Sequence, residues 1–248
     1  MDVVGDLLAR ERRSRDLALV TREGSERSYH DVITNAYKAA NVLRHLGARE
    51  GSTVAVAPEP SVHTTLAFLG AARLGACVRF DPEAGLDAGD RVALVPVAEE
   101  PDRVPSPGTN LAVFGGPPAR AGTTHWEAEL WSENPGTPPS TVGADDPVIV
   151  SADGTVSHRD VLSAAREVVE AFGLDDSSRV VVRTSFAEPG TIAVGVVAPL
   201  VSGGATVLAG TDPSGTDAAS RGDLAVVPGV DAGGPETVPE PRRIDPVD

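Results

Sequence analysis

Residues 145–162 read DDPVIVSADGTVSHRDVL: an apolar run, a short turn centred on Asp153-Gly154, and a helix start. Strand, glycine turn and helix in that order are where phosphate-binding loops lie. A Walker-type cradle needs G-x-x-x-x-G-K-[ST], so that consecutive N–H groups and a lysine meet the phosphates. SADGTVSH offers one glycine and no lysine. The stretch also has a counterpart upstream. Residues 19–33, LVTREGSERSYHDVI, follow the same plan, with Glu23-Gly24 at the turn and Ser28 to Asp31 in place of Ser157 to Asp160. There the turn joins two strands and Gly24 is free to take positive φ. Gly154 is expected to do the same, and Ser157 to cap a helix as Ser28 does. The stretch reads as a structural turn.

The likeness runs on, between residues 19–82 and residues 149–213. Each copy has a strand and turn, a helix ending at Leu46-Gly47 or Phe172-Gly173, and a β-branched run, TVAVA or RVVVR. Each then has a very apolar helix (about 61–74 and 188–201), a glycine-alanine turn, a strand and an Asp-Pro. Ser28 with Asp31, and Ser157 with Asp160, have the S-x-x-D spacing of a capping box. Ile33, Ala36, Tyr37, Ala40 and Leu43 recur at three and four, marking one buried helix face. Gly47 and Gly173 stand where a left-handed helix end is needed. The β-branched runs are too apolar for half-exposed strands, so they belong inside parallel sheets covered on both faces.

The expected fold is therefore α/β, with two related lobes of mainly parallel sheet flanked by helices, the second incomplete. The expected divisions are a first lobe over 1–98 and a Pro/Gly-rich connector over 99–144, then a second lobe over 145–230 and a disordered acidic tail over 231–248. RVALVPV and DLAVVPGV read as further strands. Within the connector LAVFGG reads as a short strand and HWEAELW as a short helix. Its tryptophans, Trp126 and Trp131, read as aromatics pinning a loop onto a lobe rather than a ligand platform.

Composition narrows the function classes. Of 248 residues 41% are hydrophobic and 4% aromatic, so Val, Leu, Ala and Ile must supply the core. The formal charge is −15, and Lys38 is the only lysine. An acidic, lysine-poor globular chain reads as a protein of a high-salt cytoplasm, with an ordinary acidic protein of a GC-rich genome as the alternative. On the first reading its melting temperature rises from dilute buffer to molar KCl, because screening relieves self-repulsion; an unchanged value would reject it. The same charge argues against nucleic acid. Cys77, the only cysteine, sits in LGACVRF and reads as a buried core thiol, with no disulfide framework or zinc cluster. The first residues lack a signal-peptide core, and the longest apolar run, TIAVGVVAPLV, is too short to span a bilayer. A soluble, cytoplasmic protein is expected.

The candidate sites read as weak. The five histidines (30, 45, 63, 125 and 158) lack H-x-x-x-H or H-E-x-x-H spacing, so no metal site is expected. There is no G-x-S-x-G elbow. DPSGTD at 212–217 lacks the glutamate of a calcium loop. Arg-Gly-Asp at 221–223 reads as chance, and RERRSR at 10–15 as a solvated helix face.

The first copy resembles the opening of the AMP-dependent synthetase and ligase superfamily, which holds acyl-CoA synthetases, luciferases and nonribosomal adenylation domains. Its T-Y-x-E-L, L-G, G-D-x-V-A-I and K-x-G-A-x-x-x-P-x-x-P elements correspond to Ser28 through Val32, Leu46-Gly47, Gly51 through Val56, and Arg73 through Pro82. The second copy is similar to the same family: DDPVIV to the strand before its phosphate loop, SHRDVL to S-H-x-N-L, and APLVSGGATVLAG to P-L-x-x-G-A-x-x-V-L. The resemblance covers about residues 17–212 and implies the N-terminal part of an AMP-forming ligase. It also shows departures. The hallmark loop T-S-G-T-T-G-x-P-K-G belongs between Val150 and Ser157, where only SADGTV stands. The acidic T-G-D motif and the small C-terminal domain with its catalytic lysine have no counterpart in the 248 residues. Only His158 matches a motif histidine.

No catalytic, cofactor-binding or metal-binding residue is therefore carried over, and no cofactor is implied. ATP or AMP, Mg and CoA enter only if the ancestral activity survives. The leading expectation is a catalytically degenerate relative of acyl-CoA synthetases acting as a non-catalytic binding or regulatory partner of another protein chain. The alternatives are an AMP-forming acyl-CoA ligase completed by a partner chain, and an eroding homologue without selected activity.

Overall fold

The β-branched runs Thr53–Val56 and Arg179–Val182 become strands with a parallel neighbour on each side. Their residues Val54, Ala55, Val56, Val180, Val181 and Val182 are fully buried, as expected of strands with no polar face. They centre two sheets in a computed structural model describing residues 1–81, 83, 87–138, 141–151, 154–188, 190–209, 221–228 and 238–246. The readings for Asp153 and for residues 212–217, 231–237 and 247–248 lie outside those residues.

In chain order the strands are β1 (Leu17–Val20), β2 (Glu26–Ser28), β3 (Thr53–Val56), β4 (Cys77–Phe80), β5 (Asp90–Pro96), β6 (Asn110–Phe114), β7 (Thr124–His125), β8 (Pro147–Ser151), β9 (Gly154–Ser157), β10 (Arg179–Val182), β11 (Ala205–Leu208), β12 (Leu224–Val226) and β13 (Arg242–Ile244). The α-helices are α1 (Tyr29–His45), α2 (Val62–Leu74), α3 (Trp126–Ser132), α4 (His158–Phe172) and α5 (Ala198–Ser202). Two compact units divide them. The first comprises residues 1–33, 59–62 and 159–248, and the second residues 34–58 and 63–158.

The first unit holds a six-stranded sheet in the order β13-β12-β10-β11-β1-β2, parallel except for the antiparallel pair β1–β2. The second holds seven strands in the order β7-β6-β5-β3-β4-β8-β9, parallel except for β8–β9. The α/β class and the two mainly parallel sheets stand as expected.

The structure divides the chain differently from the repeat. The opening hairpin of each copy joins the sheet of the other. Leu19 and Val20 of β1 pair with Thr206 and Val207 of β11, and Ile149 of β8 pairs with Val78 of β4. Within the span 99–144 the expected short strand and short helix form, as β6 and α3. β6 pairs with β5 over five residues, and the buried Glu100 carboxylate accepts the N–H groups of Ala119 and Arg120 at 2.7 and 3.1 Å. Those bonds, first of all the one from Ala119, hold the Glu100 carboxyl below its usual range. Within 231–248, expected to be disordered, Arg242–Ile244 forms β13, in parallel register with Leu224–Val226. Proline and glycine content had suggested a tail, but Val238 and Glu240 are buried.

Local readings fare better. Asp31 Oδ2 accepts the Ser28 N–H at 3.0 Å and the Ser28 hydroxyl at 2.7 Å, while Ser28 Oγ accepts the Asp31 N–H, closing the capping box. Gly24, Gly47 and Gly173 take φ of 78°, 99° and 60°. Along α2, a Cβ added at Gly70 would stand 2.7 Å from the Ala40 backbone nitrogen, so only glycine lets α2 lie that close to α1. Of the segment 10–15, read as a solvated helix face, only Arg10–Arg12 is helical, as a 3-10 turn, and Arg12 donates to the Leu200 carbonyl. Arg-Gly-Asp has a packing role: Asp223 Oδ2 accepts the Arg179 N–H at 2.8 Å.

Tyr29 of the first unit lies buried with its hydroxyl donating to the Gly204 carbonyl at 2.8 Å. Desolvation by burial pushes its pKa from 10.0 up to about 12. A phenol whose folded pKa exceeds its unfolded value binds more protons when folded, so the stability it confers is present below pH 10.0 and lost as pH rises through about 12. Chemical denaturation across that window should show a fall in the wild type that is smaller in Tyr29→Phe.

Candidate functional site

The hairpin β8–β9 occupies the position singled out as a phosphate cradle. Val150 pairs with Thr155 and Ser151 with Gly154, so the antiparallel ladder continues as far as Gly154. Gly154 has φ of 135°, open space where a Cβ would stand, and its carbonyl near Ser151 Oγ at 3.3 Å. A phosphate loop needs several consecutive N–H groups turned towards one point, plus a cation. The residues here do not fit a triphosphate. Lys38 belongs elsewhere: its Nζ donates to the Leu130 carbonyl at 3.1 Å. His158, the one residue matching a family histidine, is fully buried at the start of α4, with its N–H donating to the Asp146 carbonyl at 3.1 Å. Cys77 is a buried free thiol that donates to the Pro147 carbonyl at 3.3 Å. Burial and the Asp146 carboxylate raise its pKa, which suits a core thiol rather than a nucleophile.

The histidines do not gather. His45 Nδ1 lies 3.2 Å from Glu133, and His30 is exposed on α1. His63 and His125 flank one carboxylate at the carboxyl ends of β3, β6 and β7. Glu127 Oε1 accepts the Gly115 N–H at 2.6 Å and lies 3.7 Å from His63 Nε2, and Oε2 lies 3.5 Å from His125 Nε2. His63 also stacks on Phe114 with centroids 5.0 Å apart. Among the described residues no group of three His, Cys, Asp or Glu side chains is placed to hold a metal ion. None of the described helices is long and apolar enough to cross a membrane.

The first unit carries a cleft of about 410 Å³ between α4, the turn leading to α5, and β13. Its size and mostly apolar wall match small-molecule sites. Ala164, Val168, Ala171 and Phe172 of α4 line one side; Ala193, Val194 and Ile244 face them. One wall is a π-helical turn, Ala193–Val197. Its cause is local. Pro199 has no N–H to give the Gly195 carbonyl, and Thr206 Oγ1 donates to that carbonyl instead, at 2.8 Å. A Cβ on Gly195 would stand 2.5 Å from Val182 Cγ2, so glycine lets this turn press onto β10. Sequence reading took the segment as a plain apolar helix, and Pro199 was the signal that could have marked the irregular turn. Nothing in the sequence pointed to the cleft, because β13 forms its far side.

The sequence profile of a family described as AMP-binding enzyme matches residues 8–149. No curated protein matches the chain. Among solved structures, the anthranilate CoA ligase AuaEII in complex with anthranoyl-AMP is 20% identical with a TM-score of 0.77, over 91% of this chain and 49% of that one. The N-terminal domain of FACL13 from Mycobacterium tuberculosis is 19% identical with a TM-score of 0.76, over 92% of this chain and 63% of that one. Apo MatB from Rhodopseudomonas palustris is 17% identical with a TM-score of 0.74, over 91% and 49%. The chain thus spans about half the length of the two full ligases, and at these identities the likeness is one of fold.

Proposed function

The chain belongs to the AMP-binding enzyme family, and from that premise we propose that it is a catalytically degenerate relative of acyl-CoA synthetases that works by binding, as a non-catalytic or regulatory partner of another protein chain. The observation that carries this reading is the β8–β9 ladder, which continues to Ser151↔Gly154 where the family places its phosphate loop. Adenylation needs the α-phosphate held and its developing charge neutralised during attack by a carboxylate. SADGTV brings one glycine and no lysine to that task, and the chain's only lysine is engaged with a backbone carbonyl.

The test is calorimetry in molar KCl, titrating the folded protein with Mg-ATP, AMP, a non-hydrolysable acyl-adenylate analogue and CoA. No heat from any of the four is expected. Micromolar binding of the adenylate analogue would overturn the reading and favour a ligase completed by a partner chain. Affinity capture from the native cytoplasmic fraction at high salt should then return a stoichiometric protein partner.

A further inference from the structure

The cleft beside α4 carries both signs of charge, with carboxylates in excess. The charged side chains lining it are Glu167, Asp245 and Arg243, two carboxylates to one guanidinium, on a chain of net charge −15. The helix adds to this. The cleft lies against the C-terminal part of α4, from Ala164 to Phe172, where the helix dipole places its negative end. The last turn of α4 holds no basic residue to offset it. Arg242, from β13, already answers that field: its guanidinium donates to the Phe172 carbonyl and stands 5.9 Å over the Phe172 ring. Cations over an aromatic face are attracted by its quadrupole.

Around these charges the wall is apolar, and low-dielectric walls focus the field of the groups at the rim. The geometry points to a binding site for a small apolar cation, a single ammonium on an aryl or branched-alkyl body. The body fills the space between Val168 and Val194, and the ammonium meets the carboxylates of Glu167 and Asp245 at the rim. A carboxylic acid of the same shape brings a like charge to the same rim. The inference goes beyond the reading above: it needs neither a phosphate site nor a partner chain, so the two fail separately.

The experiment is a calorimetric titration of the whole chain with two ligands that share a phenethyl body and differ in charge, phenethylammonium and 3-phenylpropionate. The ammonium should bind saturably, and the carboxylate about tenfold more weakly or worse. Glu167 is exposed, so Glu167→Lys keeps the fold, and it should weaken the ammonium about tenfold and narrow or reverse the preference. Glu170→Lys, exposed on the same helix but outside the cleft, should leave both affinities unchanged. The proposal is overturned by any of three results: equal or tighter binding of the carboxylate, an equal effect of the two lysine variants, or no saturable ammonium binding up to roughly 10 mM.

Discussion

Glu240→Ala should be among the most destabilising single substitutions in this chain, costing ~3–5 kcal/mol in chemical denaturation. Glu240 and Arg183 form a bidentate pair, with Nε to Oε2 at 2.9 Å and Nη2 to Oε1 at 2.7 Å. Their side chains are 0% and 1% exposed. Removing the carboxylate leaves a buried guanidinium that cannot shed its proton. The pair also has a place in the fold. Arg183 follows β10 and its N–H donates to the Val226 carbonyl, while Glu240 precedes β13. The pair therefore ties the last strand to the centre of the sheet. The double variant Arg183→Met, Glu240→Leu should recover most of the loss, since an apolar pair of similar volume removes the burial cost of both charges. A Glu240→Ala protein as stable as the wild type would show that the last strand contributes nothing to the cooperative unit.

The second large effect is expected at Trp126. Its side chain is fully buried at the start of α3, and Trp126→Ala should cost ~3–5 kcal/mol through lost contacts and the cavity left behind. Its Nε1 is buried without a hydrogen-bond partner, so the indole N–H is a liability. Trp126→Phe removes that donor while keeping most of the ring, and should change stability by less than about 1.5 kcal/mol. Trp131, five residues on, is 88% exposed, and Trp131→Ala should fall within about 0.5 kcal/mol of the wild type. The three melting curves together separate core packing from surface exposure. Equal losses at Trp126 and Trp131 would reject this division of roles. The expectation that both tryptophans pin a loop thus holds for Trp126 alone. Residues 126 and 131 lie five apart on a short helix with one buried face, and the sequence does not say which of them faces in.

Much of the site was legible for a related reason. The absence of a lysine and of a second glycine in SADGTVSH already argued against a phosphate cradle, and the strand ladder continues to Ser151↔Gly154. That inference needs only residue types and their spacing. The cleft was illegible because its walls come from α4, the turn at Ala193–Val197 and β13, which lie far apart in the chain. Their meeting depends on where β13 pairs, and three residues reading Arg-Arg-Ile carry little strand signal alone.

By itself the sequence determined what short-range chemistry decides. Capping serines, left-handed glycines, β-branched runs and apolar helix faces act within a few residues, and they set the elements, their order and the α/β class. The tertiary structure alone decided which sheet receives each opening hairpin. LVTREGSERS and VIVSADGTVS carry the same turn and the same cap, so neither contains a local instruction to choose between the two sheets. β1 goes to β11 and β8 to β4 because a parallel ladder is specified by backbone pairing and burial between distant strands. Two copies of one plan therefore fold with each other's first hairpin, and no reading of either copy alone could show it.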